Sequence, residues 1–397
     1  MDAFIVRKVI RKMPGEVIRL VPIPKPVLIE GAGVRSQIGE LCREAGYGSV
    51  LLVTDEMLYS LNYHQPIVDS LAAAGVACTV FHGINSEPTT EFVAQGRRMA
   101  LDSQAQCLVA LGGGSVMDTS KMIASAVRLK RLSRKAGRLC LKFLIVPGGT
   151  LPMITVPSTA GTGAESTVGA VVKKNARGAK GATVVVGLNV THVLLDSDLT
   201  KDMPRAITAA CGIDALRHGV EGCLADVKSG DEDLRMSREC VRLVLANLPK
   251  VLENPSDEEA RQLMCRAAYY GGNAINKQLA GYVHAFAHSI GARYHIPHGE
   301  AIAMCLMPIM RSQREACREQ LTALAHYCSF RDVDSLFEAL ESLISQCGLK
   351  LDGTVIDPAD FKDLSVVIAK DSINYSAPVA FKRRQIISIL YEIKNLY

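Results

Sequence analysis

Over the first two hundred residues, short runs of β-branched and apolar residues alternate with stretches whose apolar positions recur at helical spacing, and this alternation restricts the fold most. VLIE, SVLLVTD, ACTVFHG, CLVALGGG and ITVPS each stop at or beside a Gly, Asp or Ser, and segments such as VRSQIGELCREAG and TTEFVAQGRRMALDS lie between them. A chain patterned in this way closes as a parallel sheet with crossover helices. The extended stretch GATVVVGLNVTHVLLDSDL is expected to complete that layer. From Met203 onward the β signal fades and segments rich in Ala, Leu, Arg and Glu follow. The pattern predicts an α/β domain over 1–202 and an all-α domain over 203–397, meeting near DSDLTKDMP.

At 397 residues the chain is long enough for two cores, and 48% apolar with 21% charged residues is an ordinary globular balance. No run of eighteen apolar residues occurs, and MDAFIVRKVIRKMPGE lacks the apolar stretch of a secretory signal. The short basic start from Arg7 to Lys12 is the one leader-like feature, and the cytoplasm is the expected compartment. Twelve cysteines are scattered without a C-x-x-C pair, several in apolar settings such as AIAMCLMP. They read as reduced, buried thiols. The net charge of +5 is concentrated in Arg128, Lys130, Arg131, Arg134, Lys135, Arg138 and Lys142, a run with no acid in it. No aromatic residue is interleaved there to stack on bases, so a solvated edge is expected and no nucleic-acid or membrane partner.

Three strand ends carry chemistry. In LVALGGGSVMDTSKMIA an apolar strand runs into Gly112, Gly113 and Gly114 and then a helix; the glycines let a pyrophosphate approach, and Ser115 is positioned to cap that helix. The motif fits neither common glycine-rich phosphate fingerprint. SVLLVTD leaves Asp55 at a strand end, where a carboxylate can accept bonds from a ribose, although the glycines come after this acid and not before it. ITVPSTAGTGAES supplies a loop of hydroxyls and glycines suited to phosphates or ribose.

Histidine is the other concentrated signal. GYVHAFAHSIGARYHIPHG holds His284, His288, His295 and His298, out of nine histidines in the chain. Asp214 and His218 in GIDALRHGVEG, and His284 with His288, are four apart and share a helix face. Pro297 breaks the chain before His298. One carboxylate and two or three imidazoles, with no thiolate, suit iron(II) or zinc with a position left open. Spacing alone leaves open which of the four clustered histidines are ligands.

Taken together, GGGSVMDTSK, PSTAGTGAES, GIDALRHGVEG and GYVHAFAHSIG…PHGEAIA, in this order, resemble the iron-containing (group III) alcohol dehydrogenases from roughly Pro26 to about Tyr391. The resemblance implies a Rossmann-like N-terminal domain, an all-α C-terminal domain (the dehydroquinate synthase-like fold) and a cleft between them. It implies Asp214, His218, His284 and His298 as ligands of Fe2+ or Zn2+, with His288 bordering substrate and nicotinamide as the catalytic residue and His295 outside the pattern. It implies Asp55 at the adenosine ribose, Gly113, Gly114 and Ser115 at the pyrophosphate, Thr159 and Thr162 at the phosphates and nicotinamide side, and Lys180 as a cofactor contact. An acid at Asp55 favours NAD over NADP, whose 2′-phosphate it would repel. The implied activity is hydride transfer between a primary alcohol or its aldehyde and nicotinamide, in a homodimer or larger homo-oligomer.

Departures from the family pattern bear on substrate. Ser158-Thr159 replaces a Thr-Thr pair, INYSAPVAF replaces a segment often containing NPR, Gly169 stands where some members have a polar residue, and Ile373 would add an apolar wall. A roomier, more apolar pocket than that of a small-diol enzyme is expected. Competing readings within the superfamily are a glycerol-dehydrogenase-like zinc enzyme, a dehydroquinate-synthase-like lyase and a hydroxyacid-oxoacid transhydrogenase. The lyase would need lysines beside the histidines, and the helical half offers no such cluster. A catalytically silent scaffold would predict a broken ligand set, and all four positions are filled.

Overall fold

The structure, a computed structural model, describes residues 21–129, 143–173, 180–225, 230–278, 280–372 and 377–397, with the side chains of Lys180 and Gln278 outside the description. The basic start Arg7 to Lys12, the basic run beyond Arg128 and Ile373 therefore lie outside the described residues. The described chain divides into two compact units, one ending at Met203 and one beginning at Pro204.

The first unit is built on six parallel strands: β1 (Val27–Glu30), β2 (Ser49–Asp55), β3 (Ala77–Ile84), β4 (Cys107–Gly112), β6 (Met153–Pro157) and β9 (Val190–Leu195). Their order is β1-β9-β6-β4-β2-β3. The interior strands β2, β4 and β6 are near-continuous apolar runs because helices cover both faces of such a sheet. The helices between strands are α1 (Ile38–Glu44), α2 (Glu56–Ser60), α3 (Gln65–Ala73), α4 (Thr90–Asp102) and α5 (Gly114–Arg128). On one side, Ile38, Cys42, Ile67 and Leu71 from α1 and α3 pack on Val50, Leu52, Val109 and Leu111 of the sheet.

One expectation needs correction. GATVVVGLNVTHVLLDSDL does not enter a single layer. Its first part forms β8 (Lys180–Val186), which joins β5 (Phe143–Ile145) and β7 (Gly169–Lys173) in a separate sheet ordered β5-β8-β7. Only β9 returns to the main sheet. The break falls at Gly187, whose φ of +90° sits in the left-handed region, and a Cβ there would lie 2.7 Å from the Val146 carbonyl oxygen. The chain turns where glycine alone fits.

The second unit is helical: α6 (Arg205–Leu224), α7 (Asp231–Glu253), α8 (Glu258–Gln278), α9 (Tyr282–Tyr294), α10 (His298–Gln313), α11 (Arg318–Tyr327), α12 (Val333–Cys347), α13 (Phe361–Asp371) and α14 (Arg383–Leu396). Helix α6 is its axis, with every residue from Gly212 to Leu224 buried. Small residues permit the close packing: a Cβ at Gly219 would lie 2.8 Å from the Ser237 carbonyl oxygen of α7. A helix enclosed on all sides buries whatever polar side chains it carries, and α6 carries Asp214, Arg217, His218 and Glu221.

Candidate active site

Strand β2 pairs with β3 on one side and with β4 on the other, so the strand order reverses between β2 and β4. Open α/β sheets bind ligands at the carboxyl ends of the strands flanking such a point. Asp55 ends β2 half-buried, and its Oδ1 accepts a hydrogen bond from the Leu58 amide at 2.8 Å, capping α2. Burial raises its pKa, opposed by bonds from the Leu58 and Met57 amides.

At the end of β4, Gly112 has φ +158°, and a Cβ there would lie 2.4 Å from Val116 Cγ2. Helix α5 begins at Gly114 with Gly113 as its N-cap and no side-chain cap bond. Ser115 thus lies inside the first turn, not at the cap as the sequence suggests, because extended backbone at Gly113 has already made the transition from strand to helix. The first-turn N–H groups are available to an anion. A Cβ at Gly113 would lie 3.5 Å from Thr159 Oγ1, and one at Gly114 would lie 3.4 Å from Thr162 Cγ2. Glycine turn and threonine loop face each other across a gap that larger residues would fill. The Ser158 amide ties the loop to the Gly112 carbonyl at 3.1 Å. Lys180 opens β8, opposite Lys173 of β7, in the smaller sheet.

Two residues behind this loop were not singled out from sequence. Lys121 is fully buried, its Nζ donating to Asp118 Oδ1 (3.2 Å), Thr167 Oγ1 (2.9 Å) and the Gly169 carbonyl (2.7 Å). Glu165, 2% exposed, has its pKa pushed up to about 7 by burial. The GAES segment reads as a polar turn, and only the packed fold encloses its carboxylate.

In the helical unit, His284 and His288 project from successive turns of α9, and His298 is the first residue of α10, after Pro297. The three offer ring nitrogens within 4.8 Å of one another, a grouping able to hold a metal ion. Their ring centroids are 3.8 Å (His284–His288), 5.6 Å (His284–His298) and 5.1 Å (His288–His298) apart. Asp214 Oδ1 lies 3.9 Å from His298 Nε2 and 3.9 Å from His218 Nδ1. The fold thus brings together all five residues that the resemblance implies, with His284, His288 and His298 forming one group and Asp214 lying between His298 and His218. His295 takes φ +57° at the end of α9 and is exposed.

Charge around the cluster is organised by Arg217 and Glu221, which sequence reasoning missed. Arg217 Nη2 donates to Asp214 Oδ1 at 2.7 Å and lies 2.5 Å from His218 Nε2, while Nη1 donates to Glu221 Oε2 at 3.3 Å. Glu221 Oε1 accepts from the amides of Val283 (2.8 Å) and His284 (3.4 Å) at the start of α9. A Cβ at Gly281 would lie 2.6 Å from that oxygen. Burial opposes ionisation of Asp214, but the charges of His218, Arg217 and His298 hold its carboxyl well below the usual range. Burial, then His288 and Arg217, push the His284 imidazole well below its usual range, so it is neutral as a ligand must be. An ionised carboxylate, neutral imidazole and no thiolate fit a divalent first-row cation.

A cavity of about 460 Å³ opens beside His288, lined by Ala292, Leu364 and Val367 but also by Arg293, Asp360 and Asp363. Apolar and charged side chains share this lining, and Ile373, the residue expected to add an apolar wall, lies outside the described residues.

Residues 25–197 match the family described as iron-containing alcohol dehydrogenase, and residues 208–393 match the Fe-containing alcohol dehydrogenase family, C-terminal. A probable alcohol dehydrogenase, EutG, of Salmonella typhimurium is 31% identical over 81% of this chain and 81% of its own length. The NAD-dependent methanol dehydrogenase of Bacillus methanolicus is 30% identical over 69% of this chain and 71% of its own. Among solved structures, sulfoacetaldehyde reductase from Bifidobacterium kashiwanohense in complex with NAD+ superposes with a TM-score of 0.87 at 26% identity, covering 95% of this chain and 99% of that one.

Proposed function

This chain belongs to the iron-containing alcohol dehydrogenase family and is an NAD-linked, metal-dependent alcohol dehydrogenase or aldehyde reductase, and from that premise we propose how its own residues divide the work. Asp214, His218, His284 and His298 hold the cation, iron(II) with zinc as the alternative. A bound divalent cation supplies Lewis acidity toward an alcohol or carbonyl oxygen. His288 takes up the proton released from the hydroxyl and passes it to solvent, a task suited to an imidazole whose ordinary pKa is about 6.5. Its place on the wall of the cavity supports that role. The α5 amides with Gly113, Gly114, Ser115, Thr159 and Thr162 hold the pyrophosphate side of the cofactor, Lys180 adds a cation, and Asp55 holds the ribose and disfavours a 2′-phosphate.

The single observation that carries the reading is the convergence of the buried carboxylate of Asp214 with four imidazoles contributed by three helices. The same reading includes a cytoplasmic homodimer or larger homo-oligomer. Free thiols at all eleven described cysteines support the reducing compartment, and among described residues no helix is long and apolar enough to cross a membrane.

A second reading follows from the tight grouping of His284, His288 and His298, which would make His288 a ligand in place of His218. Metal analysis of anaerobically purified Asp214→Asn, His218→Ala, His284→Ala and His288→Ala, assayed with NAD and NADP on a panel of primary alcohols, separates the two. The first reading expects metal retained only in His288→Ala, with an altered pH profile. Metal lost from His288→Ala and kept in His218→Ala would replace it by the second.

A further inference from the structure

Arg217 is among the largest fully buried side chains of the described residues, 1% exposed, and it sits on α6 one turn after Asp214 and beside His218. A guanidinium is permanently charged and presents its donors in a rigid fork. Here one nitrogen of that fork meets both Asp214 Oδ1 and His218 Nε2, at 2.7 and 2.5 Å. These are two of the residues proposed above as metal ligands, and the contacts engage a carboxylate oxygen and a ring nitrogen of the kind that a cation needs. The other arm of the fork reaches Glu221, which the α9 amides hold in place, so the arginine has a second carboxylate to rest on. The Arg217 Nε is buried with no hydrogen-bond partner among the described residues. Only part of the guanidinium is therefore anchored.

Asp214 and Glu221 against Arg217 leave one net negative charge among these three groups of α6. A divalent cation entering with the guanidinium unmoved would place like charges within a few ångströms in a desolvated site. Entry is favourable when the guanidinium yields Asp214 and His218 and keeps Glu221.

We propose that Arg217 is a resident cation that competes with the divalent metal for Asp214 and His218, so that this chain holds its metal in exchange with a guanidinium and not as a permanent fixture. The proposal rests on the ligand assignment above. Each charge-assisted bond that the metal must displace weakens its apparent affinity.

The test is a titration of the full-length, metal-free protein with Co2+, followed by visible absorption. The set comprises wild type, Arg217→Met, the double variant Arg217→Met/Glu221→Gln, and Asp214→Asn, with folding checked by circular dichroism. The double variant removes the carboxylate that the single change would leave buried and unpaired, so it reports if the single variant does not fold. Competition expects affinity about ten- to a hundredfold tighter in the arginine variants and lost in Asp214→Asn. Unchanged or weaker affinity in both arginine variants, with Asp214→Asn still abolishing binding, overturns the competition and leaves the ligand set standing. Binding undiminished in Asp214→Asn overturns both.

Discussion

Glu165 is a carboxyl group enclosed behind the threonine loop, with its Oε1 buried and unpartnered among the described residues. Its pKa of about 7 reflects burial, only partly opposed by its own amide and Lys121. In the unfolded chain the group titrates near about 4.3. Between those two values the folded state binds the extra proton, so this contribution to stability is fully present below the unfolded pKa and is lost as pH rises through 7. Glu165→Gln should flatten that dependence, and urea midpoints from pH 5 to 8 should fall with pH in the wild type by a contribution of about 3 kcal/mol that the variant lacks. Equal slopes would mean that the carboxylate has a counter-charge. At this scale, Asp55, the glycines and the histidines are legible in the sequence because each is unusual for its position: an acid at a strand end, three successive glycines, imidazoles at helical spacing. Arg217, Glu221 and Glu165 are not, since a charged residue in a helix or polar turn ordinarily faces water. Only the enclosure of α6 and of the loop turns them inward.

Between elements, α1 and α3 meet backbone to backbone at Gly39. The Gly39 amide donates to Ser70 Oγ at 2.9 Å, and that hydroxyl donates in turn to the Ser36 carbonyl. A Cβ on Gly39 would lie 2.0 Å from the Ser70 carbonyl oxygen, backbone and not a side chain that can swing away. Alanine gains up to about 1 kcal/mol over glycine in an exposed helix, but here the helices would have to part. Gly39→Ala should therefore lower stability by about 1–3 kcal/mol in chemical denaturation; a gain would show that the contact relaxes freely. The strands of the main sheet could be read from their apolar runs, and the helices from their periodicity. What could not be read was the fate of VVVGLNVTHV, because β8 and β9 carry the same β-branched signal and differ only in which sheet accepts them. The cap itself falls at Gly113, two positions before Ser115, for a similar reason: sequence shows a hydroxyl near a helix start but not where the extended backbone ends.

For the whole molecule, the proposed cofactor residues lie between Asp55 and Lys180 in one unit, and the proposed metal residues between Asp214 and His298 in the other. Removing the metal with a chelator should therefore abolish turnover while leaving NADH affinity, read from NADH fluorescence, within about threefold of the untreated protein. Loss of nucleotide binding on chelation would show that the cofactor residues depend on the metal for their conformation. The two-part patterning was visible from sequence because the β signal stops at Met203, whereas the order in which strands pair was not. That order has a consequence for synthesis. Strand β1 is made long before β9, its one neighbour in the main sheet among the described residues, with Val27 aligned beside His192. At about 5–20 residues per second on the ribosome, the first strand waits on the order of ten to thirty seconds for its partner to emerge. During that interval its unpaired edge is a surface for chaperones to shield.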